Sequence, residues 1–161
     1  MNKTKRGQAW GLDLIVATII FTMGIIIFFI YSLNLSDDTE EILNNLNYAG
    51  NSIADNLLSE GSPLDWNSTN VKKIGLTSGN KINETKLERF YDLNITDYQK
   101  TKSLFNTKYD YYVFFPEPMI INSTSVEGIG KAPLNPKNLI KVSRITIYNN
   151  KPTTLSIDIW D

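Results

Sequence analysis

The 161-residue chain contains no cysteine and no histidine. Without cysteine there is no disulfide framework, so any folded part must hold together by packing alone. Without either residue there is no structural zinc site, no thiol nucleophile, no Ser-His-Asp triad and no imidazole base. Charge of either sign is not in excess: 16 basic residues face 17 acidic ones. That balance removes a global electrostatic case for binding nucleic acid. The chain also lacks a G-x-S-x-G turn, a phosphate-binding glycine loop and an EF-hand loop. The paired acids Asp37-Asp38 and Glu40-Glu41 read as a solvated helix start whose charge complements the helix dipole, not as two carboxylates converging in a cleft. The expectation is therefore a protein that is not an enzyme and carries no metal and no cofactor.

One feature is present in excess. Leu14 to Leu33 is an uncharged, strongly apolar run. An α-helix of about 20 residues spans roughly 30 Å, the hydrocarbon thickness of a bilayer. Lys3, Lys5 and Arg6 precede the run, and Asp37, Asp38, Glu40 and Glu41 follow it. The positive-inside rule then places the N-terminus in the cytoplasm and the rest of the chain outside the cell membrane. A removable secretory signal would have a shorter apolar region and a small-residue cleavage site after it, and Tyr31-Ser32-Leu33-Asn34 provides none. The expected organisation is a basic cytoplasmic stub over 1–11, a transmembrane helix over 12–33 and an extracytoplasmic α+β domain over 34–161. Asp13 stands out, because an acid at the centre of a span costs about 2.5–3.5 kcal/mol and less at its edge. It is either an interfacial residue or an intramembrane charge that pairs with a neighbouring subunit.

Lys5-Arg6-Gly7-Gln8, an acid soon after, and a long apolar helix resemble the start of a type IV pilin precursor, and more narrowly the archaeal pilin-like proteins with class III signal peptides. Pro63-Leu64-Asp65-Trp66, Lys73-Ile74-Gly75-Leu76 and Lys81-Ile82-Asn83 fit the same group. The resemblance implies cleavage between Gly7 and Gln8 by a prepilin-type peptidase, retention of the helix, and polymerisation with like subunits or other pilins in a surface filament. It also implies that an acid neutralises the freed amine of a neighbour. The family places that acid at the fifth mature position, where this chain has Leu12; Asp13 is at the sixth. The alternative is an uncleaved, membrane-anchored binding or accessory module. Either way membrane lipid is a partner and nucleic acid is not.

After Leu33, Ile42, Leu46, Ala49, Ile53 and Leu57 recur at helical spacing and form one apolar stripe. Asp37 with Glu40 has the form of a capping box, so the first helix either continues or breaks briefly near Asn34–Asp38. Gly61 and Pro63 close it. Trp66 reads as a core plug, Lys72–Leu76 as a short strand, and Asn83 and Thr96 as caps of two short helices ending near Tyr91 and Leu104. Tyr109–Phe115 reads as a central strand stopped by Pro116 and Pro118, with a long loop over 117–137 that has room for a short strand around Met119–Ile121. Leu139–Tyr148 and Thr154–Trp160 form a hairpin around Asn149-Asn150-Lys151-Pro152. The fold expected is α+β and pilin-like: a long N-terminal helix, transmembrane and then amphipathic, packed on a small antiparallel sheet with two short helices. Candidate N-glycosylation sequons start at Asn34, Asn67, Asn83, Asn94 and Asn122.

Overall fold

The computed structural model describes the backbone of residues 4–161 and the side chains of 11–33 and 39–161. It is an α+β structure: an N-terminal apolar helix, then two further helices and a small antiparallel sheet. The first helix, α1, runs over Thr4–Leu57. The chain divides into two compact units, Met1–Glu41 and Ile42–Asp161. Backbone helix passes through 34–38 without a break, so Asp37 starts no helix of its own; its side chain lies outside the described residues.

In the second unit, the expected stripe on α1 is the buried one. Leu46, Ile53, Ala54 and Leu57 are fully buried, with Ile42 and Ala49 packed beside them. Gly50 lies on the same side, and a Cβ there would sit 2.8 Å from Val142 Cγ2 and 3.2 Å from Ile159 Cγ2. The helix thus rests directly on the sheet at a point where any side chain would lift it off. After α1, Gly61 adopts a positive φ of 77° and the chain turns back. Trp66 is fully buried, and its indole Nε1 donates to Gly75 O at 2.9 Å, so it is a core residue as expected. Residues 72–76 do not form the expected strand. They make a single bridge, Ser62 to Lys73, and the short strands fall later, at β1 (Thr77–Ser78) and β2 (Lys81–Ile82). Packing explains the shift: Ile74, Gly75 and Leu76 are all buried beneath the turn after α1, where Leu76 N donates to Leu57 O.

Helix α2 (Glu84–Thr96) starts where its cap was expected, with Asn83 Oδ1 accepting from Lys86 N at 3.1 Å. It runs past Tyr91, burying Leu87, Phe90 and Leu93. Thr96 caps nothing, because its hydroxyl donates backward to Asp92 O at 2.8 Å. Asp97 takes the role instead, closing α2 and accepting from Lys100 N at the start of α3 (Tyr98–Leu104). A carboxylate is the stronger acceptor for a free helix N–H, and threonine has the competing i−4 carbonyl. Lys86 is buried, and its Nζ donates to Glu60 O and Thr77 O at 2.8 Å each, tying α2 to the turn after α1 and to β1.

The main sheet has the order β4-β3-β6-β5 and is antiparallel throughout. Strand β3 (Asp110–Ile121) is central, as expected, but Pro116 and Pro118 do not stop it. Its pairing with β6 ends at Phe114, and its register with β4 shifts between Phe114 and Met119. The prolines occupy that irregular, exposed stretch, where no ladder hydrogen bond needs their missing N–H. The expected loop over 117–137 is accordingly mostly strand: Met119–Ile121 is strand, as the continuation of β3, and 124–130 is a further one. Asn122 and Ser123, with φ of 50° and 63°, turn the chain into β4 (Thr124–Gly130). On β4, Gly128 leaves room for the ring of Tyr112, which would collide with any Cβ. Strand β5 (Leu139–Tyr148) has its expected bounds. Strand β6 (Lys151–Trp160) begins earlier, because only Asn149 and Asn150, with φ of 50° and 59°, make the turn. Tyr111, Val113 and Phe115 from β3 and Leu155, Ile157 and Ile159 from β6 face the helices and complete the core.

Gly75 tests this packing. A Cβ there would strike Gly61 N and the backbone of Ser59 and Glu60. Gly75→Ala is expected to cost about 1–3 kcal/mol, read as a lower urea midpoint of the full chain in detergent with an unchanged slope.

Candidate functional site: the apolar span and the polar residues around it

The segment Gly11–Leu33 is 23 residues of helix with mean hydropathy 2.7 and none of it buried by the rest of the chain. It is long and apolar enough to cross a membrane, a property that a signal sequence shares. Its large side chains, from Leu12 and Leu14 to Phe29 and Leu33, are exposed. The hydroxyls of Thr18 and Thr22 donate to Leu14 O and Thr18 O at 2.8 Å, so the helix satisfies them itself.

The helical repeat sorts the small and polar positions into two faces. Ala17, Gly24 and Tyr31 lie 4, 11 and 18 residues beyond Asp13, or about 40°, 20° and 0° around the axis from it at roughly 100° per residue. Thr18 and Thr22 fall about 140° and 180° away. Asp13 thus shares a face with Ala17 and Gly24, while the threonines and Gly11, about 160° away, occupy the far side. No neighbouring heavy atom comes within 4 Å of where a Gly24 Cβ would stand. Gly7 and Gln8 lie in the helical backbone of α1, but their side chains are outside the described residues, as is that of Asn34.

The other sequons differ sharply in surroundings. Asn94 is buried, and its Nδ2 donates to Tyr111 Oη at 2.9 Å, so its amide is occupied in the core. Asn83 caps α2. Asn67 is exposed, and its Oδ1 accepts from Thr69 N and Asn70 N within its own turn. Asn122 is exposed at the tip of the β3–β4 hairpin.

Sequence reasoning missed a charged cluster at the start of β3. Lys102 Nζ and Lys131 Nζ hold Asp110 Oδ1 and Oδ2 at 2.8 and 2.6 Å. The three residues are 8 and 21 positions apart in the chain, so no local pattern announces them. Burial pushes the Asp110 carboxyl up, but the two ammonium groups outweigh it and hold it below its ordinary value. Next to it, Tyr98 Oη donates to Asp110 Oδ1 at 3.3 Å. Tyr111 is fully buried, and Thr101 Oγ1 shares a hydrogen bond of 2.5 Å with its hydroxyl; burial pushes that phenol far up. Further along the sheet, Asp158 stands 3.6 Å from Lys141 Nζ, and burial raises its carboxyl despite that neighbour.

No protein-family model, no curated protein and no solved structure matches the chain.

The depressed Asp110 carboxyl gives a pH signature. Its stabilising contribution is complete above the unfolded value near 3.8 and is lost as pH falls through the lower folded value. Asp110→Asn is expected to cost about 1–2 kcal/mol at pH 7. The gap between the two proteins should close as pH is lowered toward 2, measured as the difference in urea midpoint. Asp158 has the opposite sign but is common to both proteins, so it cancels in that difference.

Proposed function

We propose that the protein is a structural, pilin-like subunit of an archaeal type IV filament or a related surface assembly. It sits in the cell membrane with its N-terminus in the cytoplasm and its α+β unit outside. A prepilin-type peptidase clips it after Gly7, and the mature chain polymerises with like subunits through its apolar helix. The observation that carries this reading is one helix holding both an apolar span and a stripe that packs on a small antiparallel sheet. Lysine and arginine before the span and acids after it support the orientation. Apolar helices gain little by leaving lipid for each other, so association rests on close approach and polar pairing. The Asp13, Ala17 and Gly24 face supplies both.

A second reading rests on a specific observation. Asp13 stands one position later than the family's acid, which turns it by about 100° and weakens its pairing with a neighbour's freed amine. The protein is then an uncleaved, membrane-anchored accessory or binding module.

Mass spectrometry of the native protein separates the two: the pilin reading expects a chain beginning at Gln8, and a chain beginning at Met1 leaves the anchored module. Asp13→Ala is expected to weaken helix association by about 0.6–2 kcal/mol, roughly three- to thirtyfold. Filament yield from cells carrying the variant measures it, and unchanged yield removes Asp13 from the assembly mechanism.

A further inference from the structure

Strand β3 parts from its neighbour β6 before it ends. It pairs with β6 only from Asp110 to Phe114, while its pairing with β4 resumes at Met119 and runs to Ile121. The far part of the β3–β4 hairpin therefore continues with no strand beside β3 on that side. Such an edge is a template for pairing with another chain. Pro116 and Pro118 blunt its first part, because a proline has no N–H to offer. Its last part, Met119–Ile121, holds no proline, and Ile120 is exposed there. At the tip, Asn122 and Ser123 turn with positive φ, and Asn122, Ser123 and Thr124 are all exposed. These three residues form a sequon, an asparagine amide with a hydroxyl two residues on.

The other sequons with described side chains are tied down. Asn94 is buried, and its Nδ2 donates to Tyr111 Oη at 2.9 Å, so a sugar on that nitrogen would have to stand where Tyr111 stands. Asn83 caps α2 through Oδ1, and its Nδ2 donates to Ser78 Oγ at 3.4 Å. Asn67 is exposed, but its Oδ1 accepts from Thr69 N and Asn70 N, and Ser68 O accepts from Lys100 Nζ at 2.7 Å. That sequon is pinned to its own turn and to α3. The Asn122 sequon is anchored through the pairing of Thr124 with Ile121 and projects as a hairpin tip, which a transferase can take in without opening the sheet behind it. We infer that Asn122 carries an N-linked glycan, donated by an oligosaccharide on a lipid phosphate at the outer side of the membrane. The bond from the anomeric carbon to the phosphate oxygen breaks, and a bond from that carbon to Asn122 Nδ2 forms. Nδ2 loses one proton, and the lipid phosphate leaves with the electron pair. The glycan then stands beside Ile120 and covers the edge that neither β6 nor a proline closes. The inference goes beyond the assembly reading and rests only on its outward placement of the α+β unit.

Trypsin isolates the sites, because Tyr109–Lys131 holds Asn122 as its one sequon and Phe90–Lys100 holds Asn94. Native protein from its own cells is digested, and the peptides are read by fragmentation mass spectrometry. Tyr109–Lys131 is expected to carry added saccharide mass on Asn122, and Phe90–Lys100 to carry none. Thr124→Ala is expected to lose the added mass and Thr124→Ser to keep it. Asn122→Asp, a residue that also tolerates the left-handed region, is expected to lose it as well. An unmodified Tyr109–Lys131 peptide overturns the inference, and so does added mass that persists in Thr124→Ala or maps to Ser123. A membrane-impermeant amine reagent applied to intact cells keeps this failure apart from that of the outward placement. Exposed Lys72 and Lys73 that are labelled beside an unmodified Asn122 fail the glycan alone. Unlabelled lysines there fail the outward placement, and the glycan with it.

Discussion

With no cysteine to cross-link it, the α+β unit depends on the seam where α1 lies against β5 and β6. At Gly50 a Cβ would press on Val142 and Ile159, and Leu46, Ile53, Ala54 and Leu57 bury the flanks. Each large apolar side chain fully buried there contributes about 1.5–3 kcal/mol. The rest of the architecture is arranged around that seam. Helix α2 closes the remaining side of the core with Leu87, Phe90 and Leu93, and the turn after α1 folds back over Trp66.

Most polar groups buried near the core have hydrogen-bond partners, Asp158 Oδ1 being an exception. Lys86 spends its charge on two backbone carbonyls, and Tyr111 receives Asn94 while sharing a bond with Thr101. Such groups are costly when unpaired, so each also fixes the register of the element that carries it. Asn94 illustrates how a motif is overruled by context. Asn94-Ile95-Thr96 has the form of an acceptor sequon, but the amide it would offer is already a core hydrogen-bond donor. Asn67 and Asn122, with the same motif, lie at the surface.

Local chemistry was legible where a single rule governed it. The apolar span, the stripe at Leu46, Ile53 and Leu57, the Asn83 cap and the β5–β6 hairpin follow from periodicity and turn preference. Legibility failed where two rules competed. Pro116 and Pro118 announced the end of a strand, yet the register shift toward β4 leaves them in positions that ask nothing of a backbone N–H. Asn122-Ser123 makes a two-residue hairpin turn that an Asn-Gly pair would have signalled plainly, so β4 was hidden inside an apparent loop. Thr96 lost its cap to Asp97 because its hydroxyl had a closer carbonyl to serve.

The sequence by itself determined that a helix long and apolar enough to cross a membrane comes first, that the helix beyond it has one apolar side, and that the chain ends in a hairpin. These are properties of neighbours three, four or two residues apart, and local geometry settles them. Only the tertiary structure decided which asparagines are buried, how the prolines are carried within β3, and that Lys102 and Lys131 meet around Asp110. Those outcomes depend on residues that lie far apart in the chain, and nothing along the chain records their approach until the core has closed.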